Sequence, residues 1–258
     1  MTGTARPIAI VTGGRRGIGL GIVRALAAAG FDIAITGLEE SDADSRALID
    51  ELAEVGAAAI YVQSDLADLD SHQRVVDMVT GFLGPISCLV NNAGMASVVR
   101  GDFLEMKPEN FDRILSVNLR GTVFFTQAVA RSMLADESKL ARSIITISSV
   151  SAEMASPDRI DYCISKASLA SFIKGLALRL AEPGIAVFEI RPGIIRSDMT
   201  ARVSEKYDKL IGEGLVPAGR WGEAEDVGKA VAALAGGAFG FSTGSVIHVD
   251  GALSISRL

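Results

Sequence analysis

The stretch IAIVTGGRRGIG, residues 8–19, decides the fold of this chain. Its first five residues are apolar and partly β-branched, which predicts a buried β-strand. Gly13, Gly17 and Gly19 then let the backbone turn sharply and approach a bound anion. The alanine-rich helix that comes next points its free N–H groups and the positive end of its dipole at the same place. The stretch predicts a nucleotide-binding turn, although a glycine-rich turn alone is also compatible with a simple tight connection.

Short apolar runs and longer helical segments alternate along all 258 residues. This alternation is typical of βαβ units, whose parallel strands are buried on both faces by helices. No linker rich in Pro, Gly or Ser divides the chain. We therefore expect an α/β fold with a single doubly wound parallel sheet, a Rossmann fold with helices on both faces, forming one domain over residues 1–258. The predicted strands are 8–12, 33–36, 59–63, 87–91, 143–148, 186–192 and 245–250.

Composition argues against several classes of function. The net charge of −6 and the aromatic content of 5% disfavour binding of nucleic acid. No apolar stretch reaches the ~18 residues that a membrane span needs, and the N-terminus has no apolar signal region. We therefore expect a soluble, cytoplasmic protein with no membrane partner, and Cys88 and Cys163 fit a reducing compartment. His72 and His248 stand apart from other metal ligands, so no metal site is expected.

The polar motifs come directly after the predicted strands, at the edge where doubly wound sheets bind ligands. Within DYCISK, residues 161–166, Tyr162 and Lys166 are four positions apart and share one face of a helix. A free phenol has a pKa near 10, and a cation within about 4–6 Å favours its ionised form. The pair would supply a proton donor and acceptor, although the spacing is common on ordinary helices. The other motifs are SDLAD at 64–68, NNAG at 91–94, SSVSA at 148–152 and PGIIRSDMT at 192–200.

Together the motifs TGGRRGIG, NNAG, SSV, YCISK and PG resemble, in content and order, those of the short-chain dehydrogenase/reductase family in its single-domain form. The resemblance implies an NAD(P)-dependent enzyme that interconverts a ketone and a secondary alcohol by hydride transfer. Its more specific form is a resemblance to 3-oxoacyl-[acyl-carrier-protein] reductases, with polyol or sugar dehydrogenases as the alternative. A catalytically silent nucleotide-binding protein or assembly subunit is a remote alternative. Such proteins usually lose catalytic residues, whereas this sequence has a match for each of the family's catalytic residues.

The family implies a catalytic tetrad, and each member has a match in this sequence. Tyr162 would act as the general acid in reduction and as the base in oxidation. Lys166 would lower the pKa of Tyr162 and hold the nicotinamide ribose. Ser149, thirteen residues before Tyr162, would hydrogen-bond the substrate oxygen, with the neighbouring Ser148 as its rival. Asn118 would sit within a helix and help a water molecule carry protons to Lys166.

The resemblance also predicts which residues hold the cofactor. Gly37 stands where NAD-preferring members carry an acidic residue for the ribose hydroxyls. Arg16 matches the basic residue with which NADP-preferring members bind the 2′-phosphate, whereas Glu39 and Glu40 would repel that phosphate. We expect NADP, with NAD as the alternative. The expected cofactor-binding residues are Gly13, Arg15, Arg16, Gly17, Ile18, Gly19, Asp65, Leu66, Asn91, Ala93, Gly94, Tyr162, Lys166, Pro192, Gly193, Ile195 and Ser197.

Besides the cofactor, the chain should bind a small carbonyl or alcohol substrate and associate with itself. Residues 196–221 are expected to form the substrate lid. Within it, the helical segment 199–217 should be mobile, because few large apolar residues would hold it in place. Pro183 stands where carrier-protein reductases tend to carry a basic residue, which weakens the expectation of a carrier-bound substrate. The segments 109–134 and 166–182 are more apolar than one sheet face can cover. Family members typically use these two helices and the last strand to form tetramers, so the resemblance implies a homotetramer with 222 symmetry.

Overall fold

One parallel sheet organises the chain. The computed structural model describes residues 6–138, 140–201 and 203–257, so parts of the predicted domain (1–258) and one position of the predicted lid, Arg202, lie outside the described residues. The strand order is β3-β2-β1-β4-β5-β6-β7, which reverses direction between β1 and β4. The predicted doubly wound Rossmann fold is therefore confirmed. The strands are β1 Ile8–Thr12, β2 Asp32–Gly37, β3 Ala59–Gln63, β4 Ile86–Asn91, β5 Arg142–Ile147, β6 Ile185–Pro192 and β7 Val246–Val249.

Helices come after most of the strands, and local sequence explains where some of them begin. Before the second helix, the Asp42 side chain accepts a hydrogen bond from the Ser45 N–H at 3.0 Å, and the Ser45 hydroxyl accepts one from the Asp42 N–H at 2.8 Å. This reciprocal arrangement is a capping box. The helices are α1 Gly17–Ala28, α2 Ala43–Glu54, α3 His72–Phe82, α4 Pro108–Leu115, α5 Thr122–Ala135, α6 Ile160–Leu180, α7 Asp198–Ala201, α8 Ser204–Gly212 and α9 Ala224–Ala235. A π-helical segment, Ser116–Gly121, joins α4 to α5.

Two hydrophobic cores cover the two faces of the sheet. Alternate residues of β1 point to opposite faces, so Ala9 and Val11 join one core while Ile8 and Ile10 join the other. The first core takes buried side chains from α1, α2 and α9, and the second takes them from α3, α5 and α6. In the described ranges, no helix has both the length and the apolar surface needed to cross a membrane.

Helices α1 and α9 touch backbone to backbone through two glycines. A Cβ placed on Gly21 would lie 2.6 Å from the backbone carbonyl carbon of Ala224, and one on Gly228 would lie 2.4 Å from the carbonyl oxygen of Gly21. Contacts this short leave no room for any side chain. Because α1 begins at the glycine loop and α9 begins directly after the predicted lid, the contact fixes the end of the lid against the predicted nucleotide site.

We predict that Gly21→Val lowers the free energy of unfolding by about 2 kcal/mol or more, since the added carbons would force α1 away from α9. The control is Gly81→Ala in α3, where an added Cβ would have no atom within 4 Å. That substitution should raise stability by about 0.5–1 kcal/mol, because Gly is entropically costly within a helix. Denaturant titration monitored by circular dichroism measures both changes. Equal stability of the Gly21→Val variant and the wild type would show that the helices separate without cost.

Candidate active site

The loops after β1 and β4 are joined by hydrogen bonds at the point where the strand order reverses. The Asn92 side-chain amide donates to the carbonyl oxygens of Thr12 at 2.9 Å and Gly13 at 3.1 Å. The Thr12 hydroxyl accepts from the backbone N–H groups of Asn92 and Ala93, both at 3.0 Å, and donates to the Val90 carbonyl at 3.3 Å. These bonds hold the two loops side by side at the carboxyl edge of the sheet, where the ligand crevice of such folds lies.

The glycine loop has a conformation that other residues could hardly adopt. Gly13 and Gly17 have φ angles of 63° and 53°, in the left-handed region. A Cβ on Gly19 would lie 2.1 Å from the Gly13 carbonyl oxygen. Helix α1 has no side-chain cap at its N-terminus and no acidic residue in its first turn. The loop therefore presents free N–H groups and a positive dipole end, which fits the pyrophosphate of a dinucleotide.

Other residues predicted to hold the cofactor take different positions around this loop. Ala93 packs against Gly13, where an added Cβ would lie 3.1 Å from the Ala93 Cα atom. The Asp65 carboxylate accepts a hydrogen bond from the Ala67 N–H at 2.9 Å in the loop after β3. Ile18 packs partly buried against the first core, and the Leu66 side chain is buried in the second. Only the backbone of Leu66 could contact a ligand.

Asn91 and Asn92 have different surroundings from those that the sequence indicated. The Asn91 amide donates to the hydroxyls of Thr126 at 2.8 Å and Thr146 at 3.3 Å, so its side chain points into the protein interior. Asn92, which sequence reasoning missed, makes the bonds that join the two loops. The doubled asparagine of NNAG was the available signal, but strand alternation alone did not show which of the two amides faces the loop.

The tetrad residues predicted from the sequence converge at the carboxyl edge of β5. Tyr162 and Lys166 lie in the first two turns of α6, and the Lys166 ammonium is 5.7 Å from the centre of the Tyr162 ring. Lys166 is buried and donates to the carbonyl oxygen of Ile147, the last residue of β5, at 3.1 Å. Ser149 lies two residues beyond Ile147 and accepts from the Ser151 N–H at 3.0 Å, beside the Tyr162 phenol.

The two neighbouring serines point in different directions. The Ser148 hydroxyl donates to the buried Glu189 carboxylate at 2.5 Å, on the adjacent strand β6. The Ser149 hydroxyl is the one that interacts with the Tyr162 phenol. This geometry favours Ser149 over Ser148 as the serine next to a reacting oxygen.

Asn118 lies in the π-helical segment rather than in a regular helix. Its side-chain oxygen accepts from the Met95 N–H at 2.8 Å, and its nitrogen donates to the Met95 carbonyl at 2.9 Å. The same nitrogen donates to the Ser165 hydroxyl at 3.1 Å. Asn118 therefore connects the loop after β4 to helix α6. Single π turns inside helices are frequent at functional sites, and the predicted mid-helix position gave no sign of this one.

The pKa of Tyr162 differs from the sequence expectation. Burial raises the pKa of the Tyr162 phenol, and the Ser149 hydroxyl and then the Arg159 guanidinium oppose that rise. The effect of Lys166 on this pKa, which the family resemblance implied, stays a prediction, and its ammonium lies 5.7 Å from the centre of the Tyr162 ring. Burial lowers the pKa of Lys166 itself to about 8, and its ammonium is directed to the Ile147 carbonyl instead of the phenol. Arg159 and, to a smaller extent, Arg100 are cations that lower the pKa of Tyr162 in this geometry.

A buried charged network lies beneath the loop after β5, residues 148–153, which we call the serine loop. The Arg191 guanidinium forms two hydrogen bonds with Glu189, at 2.6 and 3.1 Å, and both side chains are almost fully buried. Arg191 also pairs with Glu153, and the Glu153 carboxylate lies 3.8 Å from His248. Residues 189 and 191 share one face of β6. The network fixes the serine loop to β6 at Ser148 and again at Glu153, and the charged letters of FEIRP were its only sequence signal.

The segment after β6 leads from the strand edge to the predicted lid. A Cβ on Gly193 would lie 2.8 Å from the Asp250 Cα atom, so this glycine, next to Pro192, permits close approach of the chain after β7. The Ile195 side chain is buried in the first core, which leaves its backbone as the only possible ligand contact. Ser197 lies next to Gly17, 3.5 Å from the position that a Cβ would take there. The lid thus reaches the glycine loop.

Comparison with known proteins identifies the family. The family model described as Enoyl-(Acyl carrier protein) reductase matches residues 13–254. The 3-oxoacyl-[acyl-carrier-protein] reductase of Haemophilus influenzae is 36% identical over 250 residues, which cover 96% of this chain and 98% of that protein. This chain belongs to the short-chain dehydrogenase/reductase family.

Two solved structures of dehydrogenases and reductases are similar over nearly the full length. A 3-oxoacyl-[acyl-carrier-protein] reductase from Brucella melitensis, in complex with NAD, has a TM-score of 0.96 and 62% identity, covering 99% of this chain and all of that one. A gluconate 5-dehydrogenase from Burkholderia cenocepacia, in complex with NADP and tartrate, has a TM-score of 0.89 and 30% identity, covering 97% and 96%. The chain is accordingly an NAD(P)-dependent oxidoreductase acting on a ketone and its secondary alcohol, as the sequence predicted.

The lid of this short-chain dehydrogenase/reductase is better anchored than its sequence indicated. Trp221, Ile211 and Val216 are buried together in a small core of their own. The Trp221 indole donates to the Asp208 carboxylate at 2.7 Å, and its ring stacks edge-on to Tyr207 at 5.8 Å between centres. These contacts pack one end of the segment 199–217 more tightly than expected, because Trp221, which follows that segment, packs with Ile211 and Val216. The mobility of the segment stays a prediction.

The side chains that could bind a metal ion are scattered through the fold. Over residues 6–138, 140–201 and 203–257, no group of three or more His, Cys, Asp or Glu side chains has the arrangement of a metal site. His72, a buried histidine, hydrogen-bonds the Leu66 carbonyl at 3.1 Å and packs edge-on against Phe125. It acts as a packing residue between β3 and α5.

Proposed function

We propose that Tyr162 is the proton donor and acceptor of the reaction and that Ser149 orients the substrate oxygen. The observation that carries this proposal is the convergence of both hydroxyls with Lys166 at the carboxyl end of β5. Reduction develops negative charge on the carbonyl oxygen, which the Ser149 hydroxyl stabilises while Tyr162 supplies the proton. Oxidation runs the same steps in reverse, with Tyr162 accepting the alcohol proton.

The residues around the glycine loop fit a nicotinamide dinucleotide, which supplies or accepts the hydride when bound. We propose that the loop of Gly13, Gly17 and Gly19 binds its pyrophosphate with backbone N–H groups. Gly94 lies directly over the catalytic residues, since a Cβ there would be 3.2 Å from the Asn118 side-chain oxygen and 3.7 Å from the Lys166 ammonium. Lys166 would hold the ribose beneath this glycine, and Pro192, Gly193 and Ser197 would line the nicotinamide end.

The first test is Tyr162→Phe, which keeps the ring but removes the transferable proton. We expect kcat to fall by about 10²–10⁴ with any substrate that the wild type turns over. Cofactor affinity, measured by fluorescence titration, and the melting temperature serve as controls and should stay close to wild type. Turnover within a few-fold of wild type would remove Tyr162 from the mechanism.

The contacts of Arg15 and Arg16 bear on the choice between NAD and NADP. Arg15 pairs with Asp42 at 2.6 Å and with Glu39 at 3.6 Å, and Glu39 also lies 3.9 Å from the exposed Arg16. A 2′-phosphate would have to displace these carboxylates. Gly37, moreover, has no space for the usual acidic side chain, because the Tyr61 hydroxyl lies 2.3 Å from where its Cβ would be.

We propose that Glu39 takes over the role of that acidic residue and that the enzyme prefers NAD, with NADP, the sequence expectation, now the alternative. The Glu39 carboxylate lies two positions beyond the end of β2, within reach of a ribose hydroxyl. The 62% identical Brucella melitensis protein is in complex with NAD, and the 30% identical gluconate 5-dehydrogenase with NADP. The closer relative therefore supports the same choice.

Glu39→Ala tests this preference. Removing the carboxylate frees Arg16 and part of Arg15 for a phosphate, so the ratio of kcat/KM for NADPH over NADH should rise about tenfold or more. Glu40→Ala removes the neighbouring charge, which makes no ion pair in the described part of the chain, and should change that ratio by less than about threefold. A wild type that prefers NADPH, with no effect of Glu39→Ala, would return the assignment to NADP.

Two substrate classes fit the reaction. We propose a 3-oxoacyl compound or a sugar-derived polyol or acid, because the Haemophilus influenzae and Brucella melitensis relatives carry the first name and the Burkholderia cenocepacia relative the second. We further propose that the chain functions in the cytoplasm as one domain, with residues 196–221 closing over the substrate. The contact of Ser197 with Gly17 supports closure over the cofactor side.

We propose that the enzyme assembles as a homotetramer. Helix α6 exposes Leu178 almost completely, and α5 exposes Phe124 in part. A groove of about 600 Å³ runs along α6. It is lined by Leu119 of the π-helical segment and by Ser168, Ser171, Phe172, Gly175, Leu176 and Arg179 of α6. Small residues in this groove allow a second helix to approach closely. Light scattering at micromolar concentration should give four times the chain mass of 27.0 kDa, and a mass of one chain would reject the assembly.

A further inference from the structure

Two arginines flank the catalytic tyrosine, and neither has a charged partner among the described residues. The Arg159 guanidinium lies 5.3 Å from the centre of the Tyr162 ring, and Arg159 is half-buried. In the described ranges neither Arg159 nor Arg100 forms an ion pair, whereas the nearby Arg191 is held by Glu153 and Glu189. The Arg159 side chain also donates no hydrogen bond to the described residues. Its five N–H donors are therefore free beside the reacting group.

The loop that carries Arg100 is bonded to the segment that carries Arg159. The Gly101 N–H donates to the Asp158 carbonyl at 3.1 Å, and the Ser97 hydroxyl donates to the Asp161 carboxylate at 2.6 Å. Arg100 precedes Gly101 and Arg159 follows Asp158. The hydrogen bond between Gly101 and Asp158 therefore brings both arginines to the same edge of the site. Both are also close enough to Tyr162 to lower the pKa of its phenol.

None of the acidic residues nearby forms an ion pair with Arg159 or Arg100 within the described part of the chain. Asp161 is buried and accepts hydrogen bonds from Ser97 and from the Tyr162 N–H at 2.8 Å. Glu153 is engaged by Arg191. Asp158 is exposed and contributes its backbone carbonyl to the Gly101 bond. Two arginines that form no ion pair with the described residues thus make an arginine rim near the Tyr162 phenol.

We propose that Arg159, assisted by Arg100, binds a carboxylate carried by the substrate itself, so that the enzyme acts on a hydroxy acid and the corresponding oxo acid. The inference rests on the proposed reaction at Tyr162 and names its substrate class. A guanidinium offers two parallel N–H donors to a carboxylate, which adds both strength and orientation. In oxidation, the carbinol C–H bond gives its hydride to the cofactor and the O–H bond gives its proton to Tyr162.

The position of Arg159 separates this class from carrier-bound thioesters. A phosphate on a pantetheine arm is many bonds away from the reacting carbonyl, whereas Arg159 stacks on the tyrosine that serves that carbonyl. An anionic group held by Arg159 would therefore lie closer to the reacting carbon than that phosphate does. A free carboxylate on a short chain meets that condition.

Matched acid and neutral substrates test the proposal. The pairs are gluconate with glucitol, and 3-hydroxybutanoate with its methyl ester, each assayed in the oxidation direction. We expect kcat/KM to be about tenfold or more higher for one acid than for its neutral partner. Arg159→Gln should lower that acid-to-neutral ratio by about 10- to 100-fold, the effect expected of hydrogen bonds to a charged group. Arg159→Lys should lower it less, and Arg74→Gln, a charge removal on the remote helix α3, should leave it unchanged.

The ratio distinguishes substrate recognition from an effect on Tyr162 alone. If Arg159 served only to lower the pKa of the phenol, its loss would reduce turnover of acid and neutral substrates by the same factor. Calorimetry of gluconate and 3-hydroxybutanoate with the protein and reduced cofactor, a combination that cannot react, gives a second measurement. Binding of an acid that weakens about tenfold or more in Arg159→Gln supports the proposal.

Equal kcat/KM for acids and neutral partners, with no acid binding by calorimetry, would overturn the carboxylate site. Faster turnover of the 3-oxobutanoyl thioester of N-acetylcysteamine than of both acids would overturn it as well. The proposed reaction has its own criterion, because it fails only if Tyr162→Phe remains active on the same substrates. The two failures are therefore distinguishable.

Discussion

The active-site arrangement depends on the hydrogen bonds that join the loops after β1 and β4. The Asn92 amide holds the carbonyls of Thr12 and Gly13, and the Thr12 hydroxyl holds the N–H groups that open the second loop. From this junction the second loop continues through Gly94 to Met95. The Asn118 side chain hydrogen-bonds both the N–H and the carbonyl of Met95. Asn118 in turn bonds Ser165, one residue before Lys166. One continuous set of contacts thus runs from the glycine loop to Lys166.

Burial of charge is the energetic cost of this site. Lys166 is 5% exposed, and burial holds its pKa at about 8, well below that of a free lysine. Glu189 favours the charged form of Lys166 and is itself neutralised by Arg191. A buried ion pair adds little net stability, yet removing one partner costs several kcal/mol. The pair is better explained as a fixed support for the serine loop than as a source of stability.

Local patterns in the sequence were enough to predict the strands, whereas features that depend on packing were missed. The tetrad came from the family resemblance, and its roles stay predictions. Each predicted strand is a short, mostly apolar run, and the order of the polar motifs indicated the family. The inward direction of the Asn91 side chain was not foreseen, since the choice between two adjacent asparagines depends on the exact end of β4. The π segment at Asn118 and the anchor at Trp221 were missed because neither leaves a local pattern. The cation acting on Tyr162 depends on where long side chains point, so Arg159 was not foreseen in that role.

The arginine rim also links substrate binding to the protonation of Tyr162. The guanidinium of Arg159 opposes the rise in the pKa of the phenol that burial causes. A carboxylate bound to Arg159 would neutralise part of that positive charge, so the pKa of Tyr162 would rise when an acid binds. The protonated phenol is the form that reduction requires, whereas oxidation requires a base. Acid binding at this rim would therefore favour the proton-donating form of Tyr162, and oxidation of a bound hydroxy acid would need a higher pH than reduction of the matching oxo acid.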